Sequence, residues 1–415
     1  MVSRTAPPSP GAHSGPPSAG RLSTRIRDAV PSATVRIADV ASEMRRRGVS
    51  IVDFSAGRAA EHTPPYVVDT AVSALRSGDT HQTPARGTPE YRAAVARKLA
   101  RENGIDADPE TEIIASLGCK QGLTLSLLAT LDAGDEVLIE DPAFVSYAPT
   151  IRFCGGVPVP VRLREENGYR WTRDDLEAAL TPRTRAILFC SPHNPTGVVH
   201  SVPDLDEIAH VAREHDLWVV SDEIYERMTW GGRRHVCMAT RPDMRARSIT
   251  LMGLTKSFAM GGWRIGFVHA PPAVISGMVT LQQHLMTCAG SFTQAGAARA
   301  LGDEPDASVV AMWREWEARC GYMTSGLDGI PGVRCSMPEA GYYGWADVRA
   351  FGVPVADLAE QLLVRHAVAV VPGSAFGPAG EGFLRITCVR SRPELELGLE
   401  RIAAALHEIA PDVRG

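Results

Sequence analysis

The feature that most limits what this chain can fold into is the alternation of short apolar runs with amphipathic stretches over residues 51–300. The amphipathic stretches have the apolar spacing of helices that bury one face, and they cover 89–103, 120–131 and 203–214. The apolar runs predict strands at 111–116, 135–140, 157–162, 186–190, 217–220 and 249–252. Strands that alternate with helices form a mostly parallel sheet with helices on both faces, so the sequence predicts an α/β fold.

The rest of the chain predicts a second, smaller α/β domain over 301–415. Its pattern contains a long helix at 306–327, strands near 341–346, 367–371 and 383–388, and a helix from 392. A helical pattern at 35–48 ends in a glycine, and we expect the segment 25–50 to pack with this small domain. The large domain then spans 51–300, and the Pro/Ser/Gly-rich residues 1–24 form a disordered tail.

Composition disfavours several classes of protein. Hydrophobic residues make up 44% and charged residues 22% of the 415 residues, which is ordinary for a globular protein. No apolar run approaches the ~20 residues of a membrane span, and the net charge of −5 disfavours a general nucleic-acid binder. The eight cysteines form no C-x-x-C pair and the histidines no H-E-x-x-H motif, so we expect no metal site. The first twenty residues lack the apolar segment of a secretory signal, and we expect a cytoplasmic protein.

Lysine is scarce in this sequence. Of the 43 basic residues, 40 are arginine, and the lysines are Lys98, Lys120 and Lys256. Any chemistry that needs an amine therefore has three candidates. Lys98 falls on the amphipathic stretch 89–103, where we expect it to be solvated.

Polar motifs follow four of the predicted strands. The motifs are S-P-H-N-P-T-G at 191–197, S-D-E-I-Y at 221–225, G-L-T-K-S at 253–257 and L-G-C-K-Q at 117–121. Each motif alone is an ordinary turn or helix cap. Ligands of open α/β sheets bind beyond the carboxyl ends of the strands, so the four together indicate one site at that rim. The glycine turn at 117–121 opens a helix, whose free N–H groups suit a phosphate.

Together these motifs resemble the fold type I pyridoxal-phosphate enzymes, specifically the class I aminotransferase family, over roughly residues 25–410. The sequence is most similar to the bacterial and archaeal aspartate/aromatic aminotransferase branch, whose P-S-A-T-V recurs at 31–35. The run T-K-S-F-A-M-G-G-W-R-I-G-F at 255–267 is nearly the lysine signature of the family. The resemblance implies pyridoxal 5′-phosphate as cofactor, amino-acid and 2-oxo-acid substrates, and a homodimer with shared active sites.

The resemblance also implies a role for each matching residue. Lys256 carries the cofactor as an internal Schiff base (internal aldimine) and moves the substrate proton. Asp222 pairs with the pyridine nitrogen and keeps the ring an electron sink. Tyr225 and Asn194 bond the ring hydroxyl, and Phe144 stacks on the ring.

The same family pattern supplies a phosphate site and a substrate site. Arg264 and the Thr255 hydroxyl are expected to bind the phosphate together with the amides of Gly118, Cys119 and Lys120. Arg385 aligns with the arginine that grips the substrate α-carboxylate in a bidentate fork. Gly57 and Asn194 are expected beside that carboxylate.

The match to the family weakens around the substrate. The loop after Gly57 reads R-A-A-E-H, Gln82 stands where the family has a tyrosine from the partner subunit, and a serine-rich approach to the lysine is replaced by G-L-T-K. The segment 284–294 and the residues after Arg385 also depart from the pattern. We therefore treat as candidate substrate contacts Arg58, His62, His284 and Arg390.

Three functions fit these features. The leading one is an aminotransferase acting on an α-amino acid and a 2-oxo acid. The second is a lyase, cyclase or γ-replacement enzyme of specialised metabolism that resembles aminocyclopropane-carboxylate synthase and starts with the same deprotonation at Lys256. The third, a transcription regulator with this fold as a sensor, needs a DNA-binding domain of ~60–80 residues before the matched region. Only about 24 residues precede that region, which disfavours the regulator.

Overall fold

The computed structural model describes residues 23–27, 31, 33–57, 59–302 and 306–410. The chain divides into two units between residues 31 and 32. In the first unit the described residues contain the one-turn helix α1 (Thr24–Arg27). The tail predicted at 1–24 lies outside the described residues except for its last two positions.

The second unit contains the remaining elements. Its strands are β1 (Val52–Asp53), β2 (Ile113–Ser116), β3 (Glu136–Asp141), β4 (Val157–Arg162), β5 (Thr184–Cys190), β6 (Trp218–Asp222), β7 (Ser248–Gly253), β8 (Gly266–His269), β9 (Tyr343–Asp347), β10 (Val368–Ala369), β11 (Val371–Pro372) and β12 (Phe383–Thr387). Its helices are α2 (Ala33–Arg46), α3 (Pro65–Arg76), α4 (Pro89–Lys98), α5 (Cys119–Thr130), α6 (Tyr147–Phe153), α7 (Arg173–Glu177), α8 (Val202–Glu214), α9 (Leu254–Ser257), α10 (Pro272–Leu285), α11 (Ser291–Ala300), α12 (Ala307–Asp328), α13 (Val355–His366) and α14 (Arg392–Ile409). A π-helical turn, Leu99–Asn103, extends α4.

A seven-stranded sheet forms the centre of the second unit, in the order β2-β8-β7-β6-β5-β3-β4. The pairs from β7 to β4 are parallel, and β8 runs antiparallel to both β2 and β7. The mostly parallel α/β sheet predicted from the sequence is confirmed. The sequence did not predict β8, because only Phe267 and Val268 of its four residues are apolar, which is too short an apolar run to separate from a loop. The two prolines of V-P-V-P-V-R lie in β4 at the sheet edge, where a strand tolerates missing N–H donors.

Helices cover both faces of this sheet. In β5, Ile187 and Phe189 pack on one face in a cluster with Leu205 and Ile208 of α8. The alternate residue Leu188 belongs to the cluster on the other face, which contains the apolar residues of α5 and α10. The sheet is therefore buried on both sides, and its strand ends are left to bind ligands.

A smaller sheet has the order β11-β12-β9, and a separate parallel pair joins β1 to β10. Helix α2 packs through Ala41 in a cluster with Leu363 of α13 and Ala369 of β10. Val52 and Asp53, which begin the predicted large domain, therefore pair outside the seven-stranded sheet.

Two general properties of the described residues bear on the expectations above. All eight cysteines have free thiols, and five of them are buried: Cys190, Cys237, Cys320, Cys335 and Cys388. None of the helices described is both long enough and apolar enough to cross a membrane.

Candidate active site

The carboxyl ends of the central strands open on a cavity of about 360 Å³. Eleven of the residues singled out from the sequence line it: Gly57, Cys119, Lys120, Phe144, Asn194, Asp222, Tyr225, Thr255, Lys256, Arg264 and Arg385. Gly118, the twelfth, lies against Arg264 at the border of the cavity. The strand-end motifs and the distant Arg385 therefore meet in one place.

Gly118 lies in the short turn between strand β2 and helix α5. It is the N-cap of α5 with φ +78°, in the left-handed region that favours glycine. A Cβ at this position would lie 2.8 Å from Nη2 of Arg264, so a side chain would displace the guanidinium. Arg264 itself has φ +52°, and its guanidinium donates to the carbonyls of Leu117 at 3.0 Å and Gly261 at 3.1 Å. The turn thus places a guanidinium beside the free N–H groups of a helix start.

Cationic groups crowd this end of the cavity. Loss of hydration, together with the positive charges of Arg264 and Lys256, lowers the pKa of Lys120. The Lys120 ammonium also lies 5.5 Å from the centre of the Phe144 ring. Positive groups that repel one another beside a helix N-terminus form a site suited to an anion.

Asp222 is the buried carboxylate of the cavity. It ends β6 and is 6% exposed, and burial raises its pKa from 3.8 to about 6. The Tyr147 hydroxyl donates to its Oδ2 at 2.8 Å and opposes this rise. A buried carboxylate with a raised pKa has a strong preference for a cationic partner.

Lys256 lies on the one-turn helix α9, directly after β7. Its amine donates to the carbonyl of Gly57 at 2.8 Å, and the Tyr342 hydroxyl donates to the same oxygen at 2.9 Å. A Cβ on Gly57 would lie 1.8 Å from the hydroxyl of Tyr343, so this position has room for glycine and for no larger residue. The amine is therefore held at the junction of the large sheet and the loop after β1.

Two tyrosines stand beside Lys256 with their hydroxyls 3.3 Å apart: Tyr225, after β6, and Tyr343, in β9. Burial, with the nearby Tyr343 and Tyr342, raises the pKa of Tyr225 well above its usual value. Burial opposes ionisation of Tyr343 too, but the charges of Lys256 and Arg385 outweigh it and lower the pKa of Tyr343. The pair therefore has one hydroxyl that stays protonated and can donate, next to one hydroxyl that ionises more readily.

Arg385 reaches the cavity from β12. It is 3% exposed, and it donates to Asn194 Oδ1 at 3.2 Å and to the carbonyl of Ser55 at 2.9 Å. Its guanidinium lies 4.2 Å from the centre of the Tyr343 ring. Its Nε is buried and has no hydrogen-bond partner among the residues that the structure describes. A buried guanidinium with a spare donor is suited to bind an anion.

Several residues of the cavity were missed in the sequence. Tyr147 and Tyr343 are the most important, because they contact Asp222 and Tyr225. Thr34, Val35 and Ala38 of helix α2 also line the cavity. The P-S-A-T-V likeness at 31–35 was the available signal for α2, whereas nothing local distinguishes either tyrosine from a core residue.

The candidate substrate contacts fall elsewhere or outside the described residues. Arg390 donates from Nε to the carbonyl of Asp53 at 2.8 Å and does not line the cavity. His62 and His284 are exposed, and neither is among the cavity-lining residues described. Arg58 lies outside the described residues.

The expectation that Lys98 is solvated was wrong. Its side chain is 1% exposed and bonds to Asn103 and Glu226. The amphipathic pattern of 89–103 identified the helix but could not indicate that a carboxylate, 128 residues later in the chain, meets its lysine.

Comparison with known proteins gives consistent matches over nearly the whole chain. The family model described as aminotransferase class I and II matches residues 49–402. The aspartate aminotransferase of Pyrococcus abyssi is 40% identical over 93% of this chain and 98% of its own length. The aromatic-amino-acid aminotransferase 2 of Thermococcus litoralis is 39% identical over the same shares. The solved structure of the aspartate aminotransferase from Thermus thermophilus with maleate is 37% identical, covers 92% of this chain and 99% of its own, and superposes with a TM-score of 0.88.

Proposed function

Because this chain belongs to the class I and II aminotransferases, we propose that its cavity moves an amino group between an α-amino acid and a 2-oxo acid. The observation that carries the proposal is the convergence of the Lys256 amine, the Asp222 carboxylate and the Arg385 guanidinium in one cavity of about 360 Å³. A lyase, cyclase or replacement enzyme would use the same groups, but the family and the named relatives do not favour that alternative.

The residues present fit pyridoxal 5′-phosphate, the cofactor of this class. When bound, it draws electrons from the substrate Cα and accepts the amino group. Arg264, Lys120 and the first amides of α5 offer donors to its phosphate at one end of the cavity. Asp222 offers a carboxylate to its ring nitrogen, and Phe144 offers an aromatic face. The raised pKa of Asp222 supports this placement, because a protonated ring nitrogen is the cationic partner that the buried acid lacks.

Lys256 is the proposed covalent and proton-carrying residue. Its amine lies beside Tyr225 and Tyr343, and the carbonyl of Gly57 orients it. With the cofactor bound, Lys256 would hold it covalently, and the amine, when free, would move the proton between the substrate Cα and the cofactor carbon on the other side of the shared nitrogen. Tyr225 and Asn194 are proposed to hold the ring hydroxyl, and Thr255 to add a hydroxyl to the phosphate site.

Arg385 is proposed to bind the α-carboxylate of the substrate. Asn194 and the carbonyl of Ser55 fix its guanidinium, and its unpartnered Nε supplies a further donor. A fixed guanidinium recognises a carboxylate through two parallel hydrogen bonds, which also orient Cα towards Lys256.

The experiment is a half-reaction with the purified, cofactor-loaded protein. Because relatives are named for aspartate and for aromatic amino acids, the panel contains aspartate, phenylalanine and tyrosine. We expect at least one to convert the cofactor to the pyridoxamine form and to release one equivalent of 2-oxo acid. Release of ammonia or of a γ-substituent, with the cofactor unchanged, would contradict amino transfer and support the lyase alternative.

The remaining expectations are proposals as well. We propose a homodimer with shared active sites, supported by exposed apolar residues on α3 and at the end of α10, namely Val68, Leu75, Leu285 and Met286. A protein that sediments as a monomer and is fully active in that state would contradict the homodimer. We propose a cytoplasmic location from the eight free cysteines. A role in specialised metabolism rests on the departures around the substrate, including Gln82, and the amino-acid panel tests it.

A further inference from the structure

Lys98 lies in a buried network that the proposed chemistry does not use. Its amine donates to Asn103 Oδ1 at 2.7 Å, contacts the carboxylate of Glu226, and lies 3.4 Å from the sulfur of Met252. Glu102 is 3.9 Å away, and its carboxylate forms two 2.7 Å hydrogen bonds with Arg227. A lysine that gives up its hydration in this way needs compensating contacts, and here Glu226 provides the main one.

The π-helical turn after α4 explains how these groups meet. In Leu99–Asn103 the helix bonds to the fifth residue, which brings residues five apart to the same side. Lys98 and Asn103 therefore share Glu226, because the Asn103 amide donates to Oε2 at 2.6 Å while the Lys98 amine takes Oε1. Each oxygen of the Glu226 carboxylate accepts a hydrogen bond, and these two bonds hold the carboxylate in one orientation.

The segment 222–226, at the end of β6 and in the loop after it, has residues on two sides. Asp222, Ile224 and Tyr225 line the cavity, whereas Glu223 and Glu226 lie close to each other and to His235 outside the cavity lining. The fully buried Glu223 accepts from His235 at 2.7 Å and from Ser221 at 2.9 Å. Because the acids and the cavity residues share one short backbone segment, fixing the acids fixes the direction of Asp222 and Tyr225.

The network also reaches the segment that carries Lys256. Met252, against the Lys98 amine, is the next-to-last residue of β7. A void of about 10 Å³ beside Lys98 is lined by Glu226, Gly253 and Ser257, among others. Lys98 thus lies between the segment 222–226 and the turn that bears Lys256.

The cluster of Glu223, Glu226 and His235 is less suited to bind a metal ion than to bind the Lys98 ammonium. Ligand atoms of Glu223, Glu226 and His235 lie within 4.8 Å of one another. However, the Lys98 ammonium already binds Glu226, and the His235 nitrogen nearest the acids is engaged with Glu223. The lysine therefore supplies the positive charge that a cation would bring.

We propose that Lys98 is a positioning residue that, through Glu226, holds the segment 222–226, which carries Asp222 and Tyr225, in register with the turn of Lys256. The inference rests on the proposed function, since it concerns the alignment of those groups around the cofactor. In this proposal Lys98 affects the reaction without contacting the substrate.

The test compares Lys98→Met with Arg92→Met in the cofactor-loaded protein. Arg92 is a matched control: it lies on the same helix α4, is 5% exposed, pairs with Glu110 at 3.1 Å, and does not line the cavity. We expect both variants to lower the unfolding temperature. We expect Lys98→Met alone to lower kcat about tenfold with KM within about threefold, because misaligned groups slow the chemical step. Lys98→Arg should recover part of kcat, because it keeps the charge.

A spectroscopic readout separates positioning from stability. In Lys98→Met, the pH midpoint of the visible absorbance of the lysine-linked cofactor should rise by about 0.3–0.5 unit, because a nearby positive charge is lost. In Arg92→Met it should not move. If Lys98→Met does not fold, Glu226→Gln should lower kcat by about threefold, because it removes the charge and one of the two acceptor oxygens while the other acceptor remains.

Equal kcat and equal pH midpoints in Lys98→Met, Arg92→Met and wild type would overturn the proposal. So would an unchanged kcat and pH midpoint in Glu226→Gln when Lys98→Met does not fold. Failure of the proposed function would be seen in the wild-type protein, without any variant. A wild-type protein that binds no pyridoxal phosphate would contradict both the proposed function and the role of Lys98. Wild type that binds the cofactor but performs elimination contradicts amino transfer alone, and the role of Lys98 is then judged on cofactor affinity and the pH midpoint.

Discussion

The two sides of the cavity are built in different ways. The cofactor side consists of strand ends of the seven-stranded sheet and the start of helix α5, and apart from Phe144 and Arg264 its residues lie in short motifs at 117–121, 191–197, 221–225 and 253–257. The substrate side consists of β9, β12, the loop after β1 and helix α2, which come from distant parts of the chain. Each motif on the cofactor side can be recognised locally, whereas on the substrate side Gly57 and Arg385 were identified only through the family resemblance and Tyr343 only in the structure. The following variants test whether the two sides act separately.

The largest effect is expected for Lys256→Ala. Loss of the amine removes both the covalent link and the proton carrier, so turnover should fall by about 10⁴-fold or more. The visible absorbance of the lysine-linked cofactor should disappear, while the phosphate end of the cavity still binds the cofactor. Lys120→Ala is the comparison, and it should keep the band. A persistent band in Lys256→Ala would place the link on another lysine.

Asp222→Asn should have opposite effects on rate and stability. Without the carboxylate the ring nitrogen loses its partner, and kcat should fall by about 10²–10³-fold. In the cofactor-free protein, the pKa of Asp222 is about 6 in the folded state, against 3.8 for an unperturbed aspartate in the unfolded chain. The contribution of Asp222 to the free energy of unfolding is therefore fully present below pH 3.8 and is lost as the pH rises through 6. The amide removes that cost, so chemical denaturation at pH 8 should give a free energy of unfolding higher by about 3 kcal/mol. A less stable variant at pH 8 would contradict the buried charge.

Arg264→Lys should weaken the cofactor side alone. The lysine keeps the charge but loses the planar fork that bonds Leu117 and Gly261. We expect the affinity for pyridoxal phosphate to fall by about tenfold, measured by absorbance titration, with KM for the amino acid within about twofold at saturating cofactor. A rise of KM without loss of cofactor affinity would move Arg264 to the substrate side.

Tyr147→Phe should have the smallest effect. The Tyr147 hydroxyl lowers the pKa of Asp222, so its removal should raise that pKa further. Protonated Asp222 cannot pair with a protonated ring, and cofactor affinity should therefore fall with decreasing pH from a higher midpoint than the wild-type value of about 6. A shift of about one unit and a loss of kcat of about threefold are expected. An unchanged affinity profile would remove Tyr147 from the site.

Particular residues illustrate how far the sequence could lead. Asp222 ends a buried strand, and Asn194 and Lys256 follow two others. Parallel strands bring such positions to one rim, so the meeting of these residues could be predicted. Tyr343 could not be placed, because it meets Tyr225 across 118 residues of chain. Lys98 was misassigned because helical periodicity carries no signal for the π-helical turn that follows it, or for the carboxylate packed on its amine.

The most direct test of the account is a half-reaction of wild type and Arg385→Lys with one α-amino acid. Both proteins should begin with the same cofactor affinity and the same visible band, because Arg385 belongs to the substrate side. Wild type should lose the band with one equivalent of 2-oxo acid formed, and Arg385→Lys should need about 100-fold more amino acid for the same rate. Equal amino-acid dependence in the two proteins, or loss of the cofactor from Arg385→Lys, would contradict the account of a cavity with separate cofactor and substrate sides.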